Sequence, residues 1–435
     1  MSNNNKLIVG LDIGTTKVCA IVGQRNENGK INILGVGSKP SLGGVMRGEV
    51  TNISKTVDAI KGAIEIASKI SNVEINAVHV GIAGEHIKSF QQPGVKIREN
   101  SDSEITQAEL DAMNKEQYRT VVDPGEKILH ALPQEYTIDR SFTIKDPVGM
   151  LGTKLECKYH IVTGRVSAAK TIVKCVENAG LTASDVIVEP IASAYAVLSE
   201  EELEAGIAII DIGGGTTDLA IFHDGKIRHT AVIPYGGEIV TADIVDAFGI
   251  IEKQAELIKV KYGHATVHGT RSNVMISVKG IGDRKPKQIM ERNLAHVINA
   301  RIKEIIEMVK DEIVLSGYKN KLNLGVVLTG GGAQLKDLRE LAELILGCEV
   351  KIGLPDPHLG KGLVDEVRSP MYATCIGLVL RGFQDMDANI NDNIQKHIKP
   401  NKSEKPTNKK SLFDGLFGGF KDWIKDDQTF DDFNK

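Results

Sequence analysis

Two short segments of this chain carry an aspartate, glycines and threonines in the same order. Residues 7–22 read LIVGLDIGTTKVCAIV and residues 208–222 read AIIDIGGGTTDLAIF. In each, an apolar strand runs into Asp-Ile-Gly and on into a second apolar strand, the grammar of a β-hairpin. Glycines let backbone amides approach phosphate oxygens, and threonine hydroxyls add donors. Gly14, Thr15 and Thr16 in the first copy, and Gly213, Gly214, Gly215, Thr216 and Thr217 in the second, are therefore candidate phosphate contacts. On the motif letters, the second copy is two glycines longer. Lys17 lies just past the first turn, where it can reach a phosphate or simply stay solvated. Asp12 and Asp211 stand at strand ends, where they can hold a hydrated Mg²⁺. A single Asp-Gly-Thr turn reads as an ordinary hairpin. Two matched copies, with Gly330, Gly331 and Gly332 after a third strand, point instead to a triphosphate clamped from both sides. The triplet can cap a strand-to-helix turn, but an adenine lying flat on backbone needs the same absence of side chains. Neither a G-x-x-x-x-G-K-[ST] loop nor a G-x-G-x-x-G after a strand occurs.

The elements that must position these residues can be read around them. Residues 54–70 have helical spacing, with Asn52 or Ser54 as N-cap, and 77–82 read as a buried strand. From 84 to 164 the pattern changes to short strands (87–90, 95–98, 136–138, 156–161) around a helix at 104–119, an inserted α+β unit. Residues 167–179 return to helix, ending at Gly180. Helices are expected at 242–262 and 286–315 with partial strand between, then a strand at 322–329, a helix at 335–346 and a last apolar helix at 372–381. Residues 385–410 are rich in Asn, Lys and Pro and read as an unstructured linker. A repeat at a spacing of about 200 residues is too long for a solenoid; it predicts two similar α/β halves with a cleft between them.

Composition bounds the function. With 435 residues the chain is long enough for several compact units. Its 53 basic and 57 acidic side chains argue against wholesale nucleic-acid binding. Five scattered cysteines without a Cys-x-x-Cys fit a reducing cytoplasm, and no run of ~20 apolar residues spans a membrane; neither secretion nor a transmembrane anchor is expected. Aromatics make up 4% of the chain, yet Phe413, Phe417, Phe420, Trp423, Phe430 and Phe433 all fall after residue 410.

The segments LDIGTTKVCAIVG, IIDIGGGTTDLAIF, EPIASAYAVL (189–198), VVLTGGGAQLKDL (326–338) and MYATCIGLVL (371–380) resemble, in chain order, the phosphate 1, phosphate 2, connect 1, adenosine and connect 2 motifs of the actin, Hsp70 and sugar-kinase superfamily. LPQEYTID (132–139), YGGEIVTADI (235–244) and the place of the insertion resemble the FtsA cell-division family within it. The resemblance implies an actin-like (ribonuclease H-like, duplicated) two-lobed α/β ATPase with an inserted α+β subdomain and a C-terminal amphipathic helix. Lobe I would comprise 1–83, 165–195 and 360–384, the insertion 84–164, lobe II 196–234 and 315–359, and a second, mostly helical subdomain 235–314. ATP and Mg²⁺ are the implied cofactors, with at most slow hydrolysis. Glu189 would lie near the attacking water and has the chemistry of a base. Asp12 and Asp211 would lie near the metal, and Gly237, Glu256 and Lys259 near the nucleoside. As bare sequence, Glu256 and Lys259 read as an exposed helical salt bridge.

On a helical wheel, residues 411–425 gather Leu412, Phe413, Leu416, Phe417, Phe420, Trp423 and Ile424 on one side. Residues 396–410 carry a net charge of +5. Together they predict a helix lying on an anionic membrane surface rather than crossing it. Each large side chain brings ~1.5–3 kcal/mol if fully buried, but three glycines and helix ordering subtract heavily. One tail therefore binds weakly, and a polymer of tails binds well. Residues 426–435 hold four aspartates and weaken this somewhat.

The resemblance further implies that the chain polymerises at the division site on the cytoplasmic membrane face. It would bind the C-terminal peptide of the tubulin-like FtsZ through 235–314, and later division proteins through the insertion. Arg301 and Lys303 are plausible contacts for an acidic peptide, and equally plausible as solvated charges. An Hsp70-like chaperone is the alternative, but only 55 residues follow Leu380, too few for a peptide-binding domain. A sugar-kinase-like phosphotransferase would need a sugar-binding signature, which is not recognisable. A pilus-assembly or cell-shape relative of actin fits the insertion and the distal helix poorly.

Overall fold

The computed structural model describes residues 7–140, 143–270, 274–280, 282 and 284–397. The chain opens with β1 (Leu7–Ile13), β2 (Lys17–Arg25) and β3 (Ile31–Pro40) as an antiparallel meander. A two-strand flap, β4 (Val45–Met46) and β5 (Glu49–Val50), leads into α1 (Ile53–Ser71), whose Asn52 side chain accepts from the Lys55 amide. Its buried positions Thr56, Val57, Ala59, Ile60, Ala63 and Ala67 form one apolar stripe. β6 (Ala77–Ile82) then pairs parallel to β1.

The insertion follows: β7 (Lys88–Ile97), α2 (Gln107–Gln117), β8 (Glu126–Ile138), β9 (Thr143–Ile144) and β10 (Lys154–Arg165). Its four-stranded sheet runs β7-β10-β8-β9, with its own core around Leu110, Tyr136, Leu155 and Tyr159. The two short strands expected at 87–90 and 95–98 are one continuous strand. β7 is an edge strand, the place in a sheet where a proline such as Pro93 is tolerated. α2 begins at a capping box made by Thr106 and Glu109.

The chain returns through α3 (Val166–Asn178), β11 (Thr182–Val188), α4 (Glu189–Val197) and α5 (Glu200–Ala205) to a second meander, β12 (Ile207–Ile212), β13 (Thr217–His223) and β14 (Lys226–Ile233). Next come α6 (Gly237–Phe248), α7 (Glu252–Tyr262), the hairpin β15 (Met275–Val278) and β16 (Lys287–Met290), and α8 (Glu291–Leu315). The single helix expected over 242–262 is broken at Gly249, which takes a left-handed φ of 55°. The first residues of the helix expected from 286 are strand β16. The strand expected over 322–329 is confined to β17 (Val326–Thr329), and the helix expected from 335 begins at α9 (Leu338–Leu346) after a 3₁₀ turn at Gly331–Gln334. β18 (Val350–Ile352), β19 (Leu359–Gly362), α10 (Val364–Val367) and α11 (Ala373–His397) complete the fold.

The sheets repeat one plan. In the first, β11-β6-β1-β2-β3-β19, a meander is flanked by two parallel strands; in the second, β14-β13-β12-β17-β18, it is flanked by β17 and β18. Two cores result, one under each sheet, with α4 and α11 packed together between them. The insertion, covalently part of the first half, also rests on the second. Ser89 Oγ donates to the Thr230 carbonyl at 2.8 Å and Gln91 Nε2 to the Arg228 carbonyl at 3.2 Å, both on edge strand β14. Buried Arg228 reaches back to Glu135 at 2.9 Å.

The linker expected from 385 begins as helix: α11 runs on to His397. One long-range ion pair meets it there, Arg25 with Asp387 at 2.5 Å, and within the helix Arg381 pairs with Asp385 at 2.6 Å. The amphipathic segment, with Leu412, Phe413, Leu416, Phe417, Phe420, Trp423 and Ile424, lies outside the described residues. No described helix is long and apolar enough to cross a membrane.

Candidate functional site: a cleft between paired hairpins

Both Asp-Ile-Gly motifs form tight turns at the mouth of the same cleft. In the first, the Gly14 amide donates to the Lys17 carbonyl at 3.0 Å; in the second, the Gly213 amide donates to Thr216 at 2.9 Å. Strand pairing puts Ile13 opposite Val18 and Ile212 opposite Thr217, so the two turns have equal length. The second copy is therefore not two residues longer. Gly214 and Gly215 replace Thr15 and Thr16, Thr216 replaces Lys17, and Asp218 stands where the first copy has Cys19. Matching the copies on their threonine pairs hides this, because register is set by cross-strand bonds rather than by letters.

The replacement has a steric cause. A Cβ on Gly214 would lie 2.0 Å from Thr16 Oγ1, and one on Gly215 would lie 2.5 Å from Thr15 Oγ1 and 2.8 Å from the Arg47 backbone. The two turns abut across the cleft, and one of them must be bare. The Gly237 and Glu238 amides donate to the Gly213 and Gly214 carbonyls at 2.9 and 2.8 Å, tying α6 to the second turn.

A cavity of about 780 Å³ opens between the turns. It is lined by Asp12, Gly14, Thr15, Thr16, Lys17, Glu189, Asp211, Gly213, Gly214, Gly215 and Thr216, and farther out by Gly237, Glu256, Lys259, Gly330, Gly331 and Gly332. Thr217 departs from expectation. It is buried beneath the turn with its hydroxyl donating to the Tyr235 carbonyl at 2.8 Å, and it does not reach the cavity.

Four carboxylates converge at the inner end. Burial raises Asp12 to about 6, with Asp211 adding to the rise and Lys17 opposing it. Burial and the neighbouring Asp12, Asp218 and Asp211 push Glu189, on the first turn of α4, well above the usual carboxylate range. Asp211 is also raised by burial, but hydrogen bonds hold it down. Its Oδ2 accepts from Ser193 at 2.5 Å and from Thr374 at 3.2 Å, residues on α4 and α11. Asp218, invisible in the motif reading, is raised to about 8 by burial and by Asp211; Thr216 donates to its Oδ2, while its buried Oδ1 has no partner among the described residues. So much buried, mutually repelling negative charge fits a divalent cation. Among the described residues no three such groups are placed to ligate one directly.

Lys17 spans this acidic floor, with Nζ 3.2 Å from the Met371 carbonyl and 4.0 Å from the Tyr372 ring centre. At the outer end Lys259 binds Glu256 at 2.7 Å, the Gly237 carbonyl at 2.7 Å and Thr241 at 2.8 Å. Gly330 has φ 85°, and a Cβ there would lie 2.2 Å from Asp211 Oδ1. The triplet thus lets the chain pass directly over the carboxylate. Arg301 and Lys303 lie on α8 and do not line the cavity, although Ile302 between them does. Arg301 is held by Asp243 at 2.7 Å and Glu304 at 2.5 Å, and Lys303 lies 3.7 Å from Glu307.

Comparison with known proteins agrees with this architecture. A family model described as "Cell division protein FtsA" matches residues 208–377, and one described as "SHS2 domain inserted in FTSA" matches residues 84–163. The chain is 42% identical over 382 residues to the cell division protein FtsA of Pseudomonas aeruginosa, covering 88% of this chain and 90% of that protein. It is 38% identical over 389 residues to FtsA of Escherichia coli K12, covering 88% and 91%. Among solved structures, the PilM-PilN type IV pilus biogenesis complex matches with a TM-score of 0.64 at 18% identity, covering 87% of this chain and 99% of that one. MreB5 of Spiroplasma citri bound to ADP matches at 0.51 and 17%, covering 90% and 98%. At these identities the structural likeness speaks for the fold, which is actin-like. The sequence relatives speak for the family, and the chain belongs to the FtsA family of cell-division proteins.

Proposed function

We propose that this chain binds ATP with Mg²⁺ between its paired hairpins and, in that state, polymerises on the cytoplasmic face of the membrane at the division site. The observation that carries this is the abutting pair of phosphate-type turns over a buried carboxylate cluster. Backbone amides of residues 15–16 and 214–216, with the Thr15 and Thr16 hydroxyls, would bind the phosphates. Asp12, Asp211 and Asp218 would hold the ion through water, and the ion neutralises phosphate charge when bound. Glu256 and Lys259 would face the ribose, and residues 330–332 the base. Glu189, its proton affinity raised by burial, suits a base that orients a water. Positioning to a fraction of an ångström governs such transfer, so a complete site remains compatible with slow turnover.

The aromatic tail supplies membrane attachment, multiplied by polymerisation. The subdomain of α6, α7 and α8 would take the FtsZ C-terminal peptide and the insertion later division proteins, so that the polymer ties the FtsZ ring to the membrane. Electron microscopy on an anionic lipid monolayer tests the reading with intact protein and with protein truncated after Lys410. Filaments are expected only from intact chain with ATP. Equal filaments without nucleotide, or equal membrane recruitment of the truncated chain, would overturn it.

A further inference from the structure

The flap formed by β4 and β5 is wedged between the two turns, and its Gly48 borders the cavity. Its tip, Arg47-Gly48, is a two-residue turn with both residues at positive φ, 48° and 78°. Asparagine or aspartate ordinarily takes the first place in such a turn, because its short polar side chain tolerates that backbone. A long cationic side chain held there against backbone preference suggests a task for it.

The tip touches both halves. The Gly48 amide donates to Thr15 Oγ1 at 3.1 Å, which leaves the Thr15 proton free for a ligand in the cavity. The Arg47 backbone packs against Gly215, where an added Cβ would approach to 2.8 Å. The guanidinium, exposed and outside the cavity lining, lies 5.9 Å from the centre of the Tyr235 ring. Tyr235 belongs to the other half, and its carbonyl is bound by Thr217 at the foot of the second turn. The same ring receives Arg301 of α8 at 6.0 Å. One aromatic ring therefore joins a cation on the lobe I flap to a cation on the helical subdomain.

We infer that Arg47 is a positioning residue: by clasping Tyr235 across the cleft mouth it holds the two phosphate turns in register, so that the terminal phosphate is gripped from both sides. The inference rests on the cleft being a nucleotide site. Bonds through Thr15 couple the clasp to the cavity, since a hydroxyl that donates to a ligand becomes a better acceptor for Gly48. Because ATP and ADP differ in the terminal phosphate, the clasp acts on the ratio of their affinities rather than on nucleoside binding.

Calorimetric titration of ATP and ADP into full-length protein tests this, with thermal unfolding of each nucleotide-free variant as the folding control. Arg47→Gln and Tyr235→Leu are each expected to lower the ATP-over-ADP preference about two- to five-fold, the range of an exposed cation–π contact, with ADP affinity unchanged. Arg47→Lys and Tyr235→Phe should retain the preference, and the double variant should lose no more than either single one. An unchanged ratio in Arg47→Gln, or losses that multiply in the double variant, would overturn the clasp. Wild-type protein that binds neither nucleotide would overturn the reading of the cleft, and the clasp with it.

Discussion

The two hairpins share a strand plan, a turn length and a closing hydrogen bond, and differ at almost every side chain that faces the cleft. The first offers Thr15, Thr16 and Lys17, which are two hydroxyls and a cation. The second offers bare backbone at Gly214 and Gly215, then Thr216 and the extra carboxylate Asp218. Where two identical turns meet head-on, their side chains collide; here one copy keeps the donors and the other gives up its own to make room. The duplication thus yields two unlike jaws, one lined by side chains and one chiefly by bare backbone. The acid on the second jaw has no counterpart on the first, where Cys19 is buried at the matching position.

Breaking the bare jaw should have the largest effect. Gly215→Ala drives a methyl into the Arg47 backbone and should lower folding stability by about 1–3 kcal/mol, read as a lower unfolding midpoint with loss of nucleotide binding. Gly214→Ala should be milder, because the Thr16 hydroxyl it meets can rotate away. A near-silent Gly215→Ala would mean that the turns do not touch.

The extra acid makes stability depend on pH. The folded protein holds the Asp218 proton up to about 8, whereas an ordinary aspartate releases it near 3.8. Folding therefore binds a proton within that window, and nucleotide-free stability falls as pH rises through it, as it does for Asp12 up to about 6. Asp218→Asn should flatten the fall and raise the melting temperature at pH 8.5 by about 2–4 °C, while weakening nucleotide binding more with Mg²⁺ than with a chelator. A melting curve with the same pH dependence in wild type and variant would refute the assignment.

Smaller effects separate the jaws further. Ser193→Ala removes a donor from Asp211 and should cost about 1 kcal/mol, visible as a lower melting temperature that is most marked where Asp211 is ionised. Thr15→Val keeps the shape of the first jaw and leaves the Gly48 amide unpaired. Partial access to water limits its cost to about 0.5–1 kcal/mol, and a larger drop in nucleotide affinity than in stability would mark the hydroxyl as a ligand contact.

What the sequence made legible was whatever depends on neighbours along the chain. Backbone cradles, the Asn52 cap of α1, the buried strand β6 and the long-range repeat all leave consecutive letters. Asp218 was missed because its place comes from pairing with Asp211 across a hairpin. Ser193 and Thr374, 181 positions apart, meet on one carboxylate oxygen, and nothing local announces either. The extension of α11 past 385 was misread for a similar reason. Its composition alone cannot offset chain entropy, but Asp387 is answered by Arg25 from the opposite end of the sequence. A signal for Asp218 did exist: an acid in the middle of the apolar run TTDLAIF, where burial without a role is costly.

The side-chain bonds from Ser89 and Gln91 to β14 bear on what can add to that sheet. An edge strand with free carbonyls invites another chain to add a strand, the first step toward cross-β aggregation. Here side chains, rather than a further strand, occupy two of those carbonyls, so the sheet ends without offering a template. Excising residues 84–164 would remove the cover together with any docking surface, and the resulting protein should precipitate on expression.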